Sequence, residues 1–129
     1  SPDGSHILMC RRRKEPYQGL LNLVGGKIEP GESDMEAAYR ELREETAITA
    51  RDIRLLHLMD FSYPLDNCYV QVYAGLLQAA VPLREEVNPL LWVPLKGEDF
   101  FPMTRYAGEG NIGHIVEHIR MKWARLLRE

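Results

Sequence analysis

The chain has 129 residues, 45% of them apolar, and a formal net charge of −3. That length makes one globular domain with enough apolar material for a core. The mild charge excludes the clearly basic face that a nucleic-acid polymer needs, and no apolar run reaches the roughly 18 residues of a membrane span.

Pro2-Asp3-Gly4-Ser5 reads as a turn. A turn there suggests that the first strand is truncated ahead of it. His6 to Arg13 follows as a strand, apolar first and charged at its end. The short basic block Arg11-Arg12-Arg13-Lys14 reads either as a solvated strand end or as a phosphate contact. Gln18 to Val24 is a second extended piece, and Gly25 to Gly31 a loop. A helix is predicted from Asp34 to Thr46, with Ser33 as N-cap and Glu36 completing a capping box. Met35, Ala38, Tyr39 and Leu42 recur at helical spacing and form its buried stripe.

Arg54 to Ser62 reads as a strand, Pro64 to Asn67 as a turn, and Cys68 to Gln78 as an alternating strand rich in Tyr and Val. Leu90 to Val93 is a further short strand and Phe100 to Gly113 a loop. The last helix is predicted from Ile112 to Leu127. Its stripe is Ile112, Ile115, Val116, Ile119, Trp123, Leu126 and Leu127. Arg120, Lys122, Arg125 and Arg128 suit its negative C-terminal end. The order strands, helix, strands, helix predicts a mixed sheet with helices on its faces. Cys10 and Cys68 lie in apolar, strand-like stretches and read as two buried free thiols in a reducing cytoplasm. No secretory signal is visible.

The chemistry lies between Gly26 and Ile48, which contain seven carboxylates. Glu41, Glu44 and Glu45 stand at i, i+3 and i+4 of the predicted helix, within an arc of roughly 100°. Like charges so placed repel. A hard divalent cation, Mg²⁺ or Mn²⁺, would relieve that repulsion and bridge to substrate phosphates. A solvated acidic face paired with Arg40 and Arg43 is the plainer alternative. Gly25, Gly26 and Gly31 favour the first reading, because a glycine-rich turn can bring backbone groups beside the ligands.

The same segment resembles the Nudix box. Gly26 is followed by five residues, Glu32, seven residues, and Arg40-Glu41-Leu42-Arg43-Glu44-Glu45-Thr46-Ala47-Ile48. One fixed position departs: Ala47 stands where the box has glycine. The resemblance covers 23 of 129 residues, and Asn22-Leu23-Val24-Gly25 and the chain length also look like small MutT-type members. It implies one Nudix domain over residues 1–129, an α/β/α sandwich with a mixed sheet between helices, and hydrolysis of a nucleoside diphosphate linked to a group X. It further implies a divalent metal on Glu44, Glu45 and the Gly25 carbonyl, with Glu41 as ligand or general base. Arg40 would orient Glu41, and Glu32 would be the structural acid. Arg11 and Arg13, on one face of the first predicted strand, are expected to reach the phosphates, Gly26 and Lys27 are further expected substrate contacts, and Asn22 resembles a base-contacting residue. A turn-capping Asn22 is the alternative.

The leading substrate is a nucleoside triphosphate such as 8-oxo-dGTP. ADP-ribose is the alternative, suggested by Pro64 past the box. A non-catalytic nucleotide sensor is a third reading, opposed by the intact glutamates. Tyr17, Tyr63, Tyr69 and Tyr73 are candidates to stack on a base, and Glu85, Glu86, Glu98 and Glu109 to join the site. His114-Ile115-Val116-Glu117-His118 matches an inverted zinc-peptidase motif, but reads better as a solvated pair because few residues follow it.

Overall fold

The computed structural model describes residues 1–63, 65 and 67–128, with side chains as far as Lys122. Pro64, on which the ADP-ribose expectation turns, lies outside the described residues, as do the side chains of Trp123, Arg125, Leu126, Leu127 and Arg128. The elements run β1 (His6–Arg11), β2 (Leu21–Asn22), α1 (Asp34–Thr46), β3 (Leu56–Tyr63), β4 (Cys68–Ala74), β5 (Leu90–Pro94) and α2 (Asn111–Arg128).

β1 lies between β2 and β5, antiparallel to both. β3 and β4 form a separate antiparallel pair. Among the described residues, the parallel component of the predicted mixed sheet is a single bridge, Leu21 to Tyr106. Alternation along β1 sends neighbouring side chains to opposite layers. Leu8 packs with Met35, Ala38, Tyr39 and Leu42 of α1, around Ile48, Ile53, Leu55 and Leu77. Met9 packs with Ile112 and Val116 of α2, around Leu21, Val93, Phe100 and Tyr106. Under β3 and β4, Leu58 and Val72 meet Ile115 of α2. Both strand groups therefore sit between the same two helices, which is the α/β/α sandwich.

α1 has the predicted bounds because its start is fixed locally. The Ser33 hydroxyl accepts from the Glu36 N–H and the Glu36 carboxylate from the Ser33 N–H, each at 3.1 Å. At the other end Ala47 is the C-cap, left-handed at φ 71°, with its N–H on the Arg43 carbonyl at 2.9 Å. The Cβ makes that conformation unfavourable. Ala47→Gly is therefore expected to raise stability by roughly 0.5–1 kcal/mol, the left-handed penalty less the extra chain entropy glycine loses. The urea midpoint measures this, and an unchanged or lower midpoint would contradict it.

Several expectations are corrected. β1 stops at Arg11, so Arg13 is past the strand and does not share a strand face with Arg11. The second extended piece shrinks to Leu21–Asn22, because only those residues find a partner in β1. β4 ends at Ala74. Cys10 is buried and free as expected, but Cys68 is exposed. It is the first residue of β4, opposite Tyr63 at the end of the β3–β4 pair where the chain passes from one strand to the other. His114 is exposed, edge-on to Phe101 at 5.2 Å. His118 is half-buried rather than solvated, its Nδ1 enclosed without a hydrogen bond, because it lies one residue before Ile119 on the packed side of α2.

Candidate active site

The loop from Gly25 to Ser33 has no regular structure and is held from α1. Arg40 is the centre of that hold. Its guanidinium donates to the Lys27 carbonyl at 2.8 Å, to both Glu32 oxygens at 2.7 and 3.0 Å, to Glu41 at 2.7 Å and to Glu44 at 3.1 Å. The Glu29 N–H donates to Glu32 at 2.7 Å. Arg40, Glu32 and Glu41 are 15–17% exposed, so water screens these contacts poorly. The carboxylates beside Arg40, Glu32 first, raise its pKa further above the ordinary value.

The Arg40 guanidinium and the Glu29 N–H hold the Glu32 carboxyl at about 2, below its ordinary 4.5. A depressed carboxylate adds stability above its unfolded pKa, and that stability is lost as pH falls through the folded value. Acid unfolding between pH 4.5 and about 2 is therefore expected to draw on Glu32. Glu32→Gln should flatten this limb of the stability profile. Identical limbs in the two proteins would show that the pair contributes nothing.

Glu45 is half-buried and accepts the Gly25 N–H at 2.8 Å. Burial raises its pKa, opposed by that hydrogen bond and reinforced by the charges of Glu41 and Glu44. Gly26 packs against Glu41 so closely that a Cβ there would lie 2.3 Å from the Glu41 Cδ. Gly25, Gly26, Glu41 and Glu45 line one cavity of about 770 Å³. Glu44 lies outside that lining, half-exposed and turned to Arg40. As placed, no three His, Cys, Asp or Glu side chains among the described residues stand close enough to hold an ion.

The donors nonetheless fit a hard cation. Two carboxylates and a glycine-lined backbone meet at one wall, and a positive charge would relieve the desolvation and mutual repulsion that raise Glu45.

Asn22 and Lys27 line the same cavity. The Asn22 Oδ1 accepts the N–H of its neighbour Leu23 at 2.8 Å, at the end of β2 rather than in a turn, and Asn22 lines the cavity. Arg11 and Arg13 are not brought there. Arg11 reaches the Gly19 carbonyl at 2.9 Å, and the Arg13 N–H donates to Asn88 at 3.0 Å. Cys10 and Arg12, two residues apart on β1 and its extension, line the cavity instead. Sequence reading missed Arg12 because the side on which the basic block faces the cavity depends on pairing with β5.

It also missed Asn111, which lines the cavity and hydrogen-bonds Tyr63. An asparagine at a helix start carries no sequence signal beyond capping. All four candidate tyrosines line the cavity. Of the four further glutamates, Glu109 reaches its rim, through Tyr17 at 2.5 Å. Glu85 holds the Leu90 N–H, Glu86 pairs with Arg84, and Glu98 accepts from Tyr106.

A glycine turn, a capped helix carrying carboxylates on one side and an adjoining cavity, set in an α/β/α sandwich, define a hydrolase of phosphoric anhydride bonds. The chain belongs to the Nudix family: residues 1–108 match the NUDIX domain. The 8-oxo-dGTP diphosphatase of Escherichia coli strain K12 is 29% identical over 106 residues, 78% of this chain and 81% of that protein. Among solved structures, an Ap4A hydrolase of C. elegans in a binary complex superposes with TM-score 0.75 at 20% identity. It covers 95% of this chain and 91% of that one, and shows the shared fold. A structure from work on MutT of Aliivibrio salmonicida and Vibrio cholerae gives TM-score 0.69 at 25% identity, over 93% and 90% of the two chains. Within the described residues, no helix is long and apolar enough to cross a membrane.

Proposed function

We propose that the protein hydrolyses a nucleoside triphosphate, with an oxidised purine such as 8-oxo-dGTP as the leading substrate, to the monophosphate and pyrophosphate. One observation carries this reading. The Glu41–Glu45 wall and a group of amides and aromatic rings, Asn22, Asn111, Tyr17 and Tyr63, line a single cavity. Its volume falls within the roughly 300–1,000 Å³ typical of small-molecule sites. With a divalent cation held on it the first wall would suit phosphates, and the second suits a base that needs both donors and acceptors. The similarity to the Escherichia coli 8-oxo-dGTP diphosphatase over most of both chains supports it.

Glu45, Glu41 and the Gly25 carbonyl would hold the divalent cation, Mg²⁺ first, with Glu44 completing the set. When bound, such a cation offsets phosphate charge and lowers the pKa of a nearby water. Glu41, oriented by Arg40, takes the proton as water adds to phosphorus and the bridging P–O bond breaks. Arg12 and Lys27, which line the cavity, would meet the phosphates. The role is that of a small-molecule enzyme of the cytoplasm.

The test is a product analysis with Mg²⁺ on 8-oxo-dGTP, the normal dNTPs, ADP-ribose and dinucleoside polyphosphates. Pyrophosphate released chiefly from a triphosphate is the expected result. AMP released chiefly from ADP-ribose would keep the chemistry and overturn the substrate. Asn22→Ala is expected to lower the oxidised-to-normal ratio of kcat/KM about tenfold, the worth of one hydrogen bond. An unchanged ratio would leave Asn22 with its local hydrogen bond to Leu23 alone.

A further inference from the structure

β3 changes step once, and the change places a polar row on one face of the β3–β4 pair. Its partners pass from His57 opposite Tyr73 to Met59 opposite Val72, so a bulge at Leu58 sets two β3 residues against one of β4. His57 and Asp60 are three residues apart and would otherwise point to opposite faces. With the bulge, Leu58 and Met59 both pack toward Ile115 of α2. His57 and Asp60 then share the other face, opposite Tyr73 and Gln71. The His57 Nε2 lies 2.6 Å from the Asp60 Oδ1, and the His57 ring leans on that of Tyr73 at 5.4 Å.

The second oxygen of Asp60 holds a residue of the cavity wall. Tyr69 stands opposite Ser62, and its hydroxyl crosses diagonally to donate to the Asp60 Oδ2 at 2.7 Å. A phenol carries one hydrogen, so this bond leaves Tyr69 only lone pairs to offer a ligand. The hydrogen bond to Asp60, first among several causes, raises the Tyr69 phenol above its ordinary 10. The Tyr73 hydroxyl is likewise committed to the Gln71 Oε1 at 3.0 Å, and that of Tyr17 to Glu109 at 2.5 Å. Tyr63 differs, since it accepts from Asn111. Tyr69, Gln71 and Tyr73 line the cavity, while His57 and Asp60 lie outside its lining.

We infer that Asp60, fixed by His57, is a positioning residue that holds the Tyr69 proton and makes Tyr69 select nucleotides carrying a hydrogen-bond donor, an amino group on the base or a hydroxyl on the sugar. The inference rests on the proposed nucleotide substrate and names what the β4 wall reads in it. A site built of acceptors favours the donor-bearing analogue, because one without the donor leaves a desolvated oxygen unpaired. The charge on Asp60 strengthens the bond that sets this polarity.

The test is equilibrium binding, with Mg²⁺, of dGMP, dIMP and GMP. dIMP lacks the base amino group of dGMP, and GMP adds a sugar hydroxyl. The wild type is expected to prefer the donor-bearing member of a pair, and Tyr69→Phe to lower that preference about tenfold, the worth of one hydrogen bond. The pair that responds assigns the donor to base or sugar. Asp60→Val frees the Tyr69 proton and should lower the same preference with Tyr69 still in place. Tyr69 is 62% exposed, so Tyr69→Phe keeps its fold and decides the matter even if Asp60→Val does not. The tyrosine Raman doublet reports whether a phenol donates its proton. The donor signature that the wild type loses in Tyr69→Phe should also be lost in Asp60→Val. Preferences unchanged in Tyr69→Phe, or affinity lost evenly for all three nucleotides, would overturn the selection and leave Asp60 a structural residue. A wild type that binds none of the three would overturn the proposed substrate and the selection with it, and the Raman doublet would still decide whether Asp60 holds the proton.

Discussion

Glu45→Gln is expected to lower metal-dependent turnover on the order of 10²-fold or more while the fold survives. Even the hydrogen-bonding partners of a metal's ligands are commonly worth about 10–100-fold. The amide keeps the shape of the side chain and can still accept the Gly25 N–H, which holds Glu45 at 2.8 Å. What it loses is the charge. In the folded chain that charge is costly, since burial and the neighbouring Glu41 and Glu44 all push the carboxyl pKa up. Removing it should leave the melting temperature of the metal-free protein equal or higher, while the Mg²⁺ concentration for half-maximal activity rises. Near-wild-type turnover at ordinary Mg²⁺ would sink the assignment of the site. Glu44→Gln should do less harm, because Glu44 lies outside the cavity lining.

Gly26→Ala is expected to abolish most activity at little cost in stability, an unusual split for a glycine substitution. The added Cβ would lie 2.3 to 2.5 Å from the three carboxylate atoms of Glu41 and meets nothing else so close. The obstructing group is the far end of a flexible side chain, so the chain folds by moving Glu41 aside. The displaced carboxylate leaves both Arg40 and the cavity wall. A misplacement of about 1 Å at a reacting group costs roughly 10²-fold, and kcat should fall by that order. Circular dichroism and the urea midpoint should stay close to wild type. An active Gly26→Ala enzyme would show that Glu41 does not work from this position.

Much of this was legible in the sequence where local rules decide. The bounds of α1 follow from Ser33 and Glu36, which satisfy each other's backbone within one turn. The carboxylate spacing needs only the helical period, and the strand cores follow from alternation. What stayed hidden depends on partners distant in sequence. Whether Arg11 or Arg12 faces the cavity is set by the pairing of β1 with β5. Cys68 looked buried because Tyr and Val surround it, yet it begins β4 at the exposed end where β3 passes into β4. Arg40 was expected to orient Glu41 or to pair with the acidic face of its own helix. That one guanidinium also gathers Glu32 and the Lys27 carbonyl shows only when the loop is folded back on the helix.

That gathering ties the chemistry to a local equilibrium. The residues from Gly25 to Ser33 make no ladder and no helix of their own, and they are fastened to α1 chiefly by Arg40 and by Glu45 on the Gly25 N–H. The core clusters around Met9, Leu55 and Leu58 are built from other residues. The loop can therefore open while the sandwich stays closed, at the low end of the range of local unfolding energies. Each opening scatters the glycine backbone from the glutamates, so the enzyme is competent only for the fraction of time that the loop is fastened. A cation that binds the fastened form alone would raise that fraction by mass action, making the metal a stabiliser of the loop as well as a participant in the reaction.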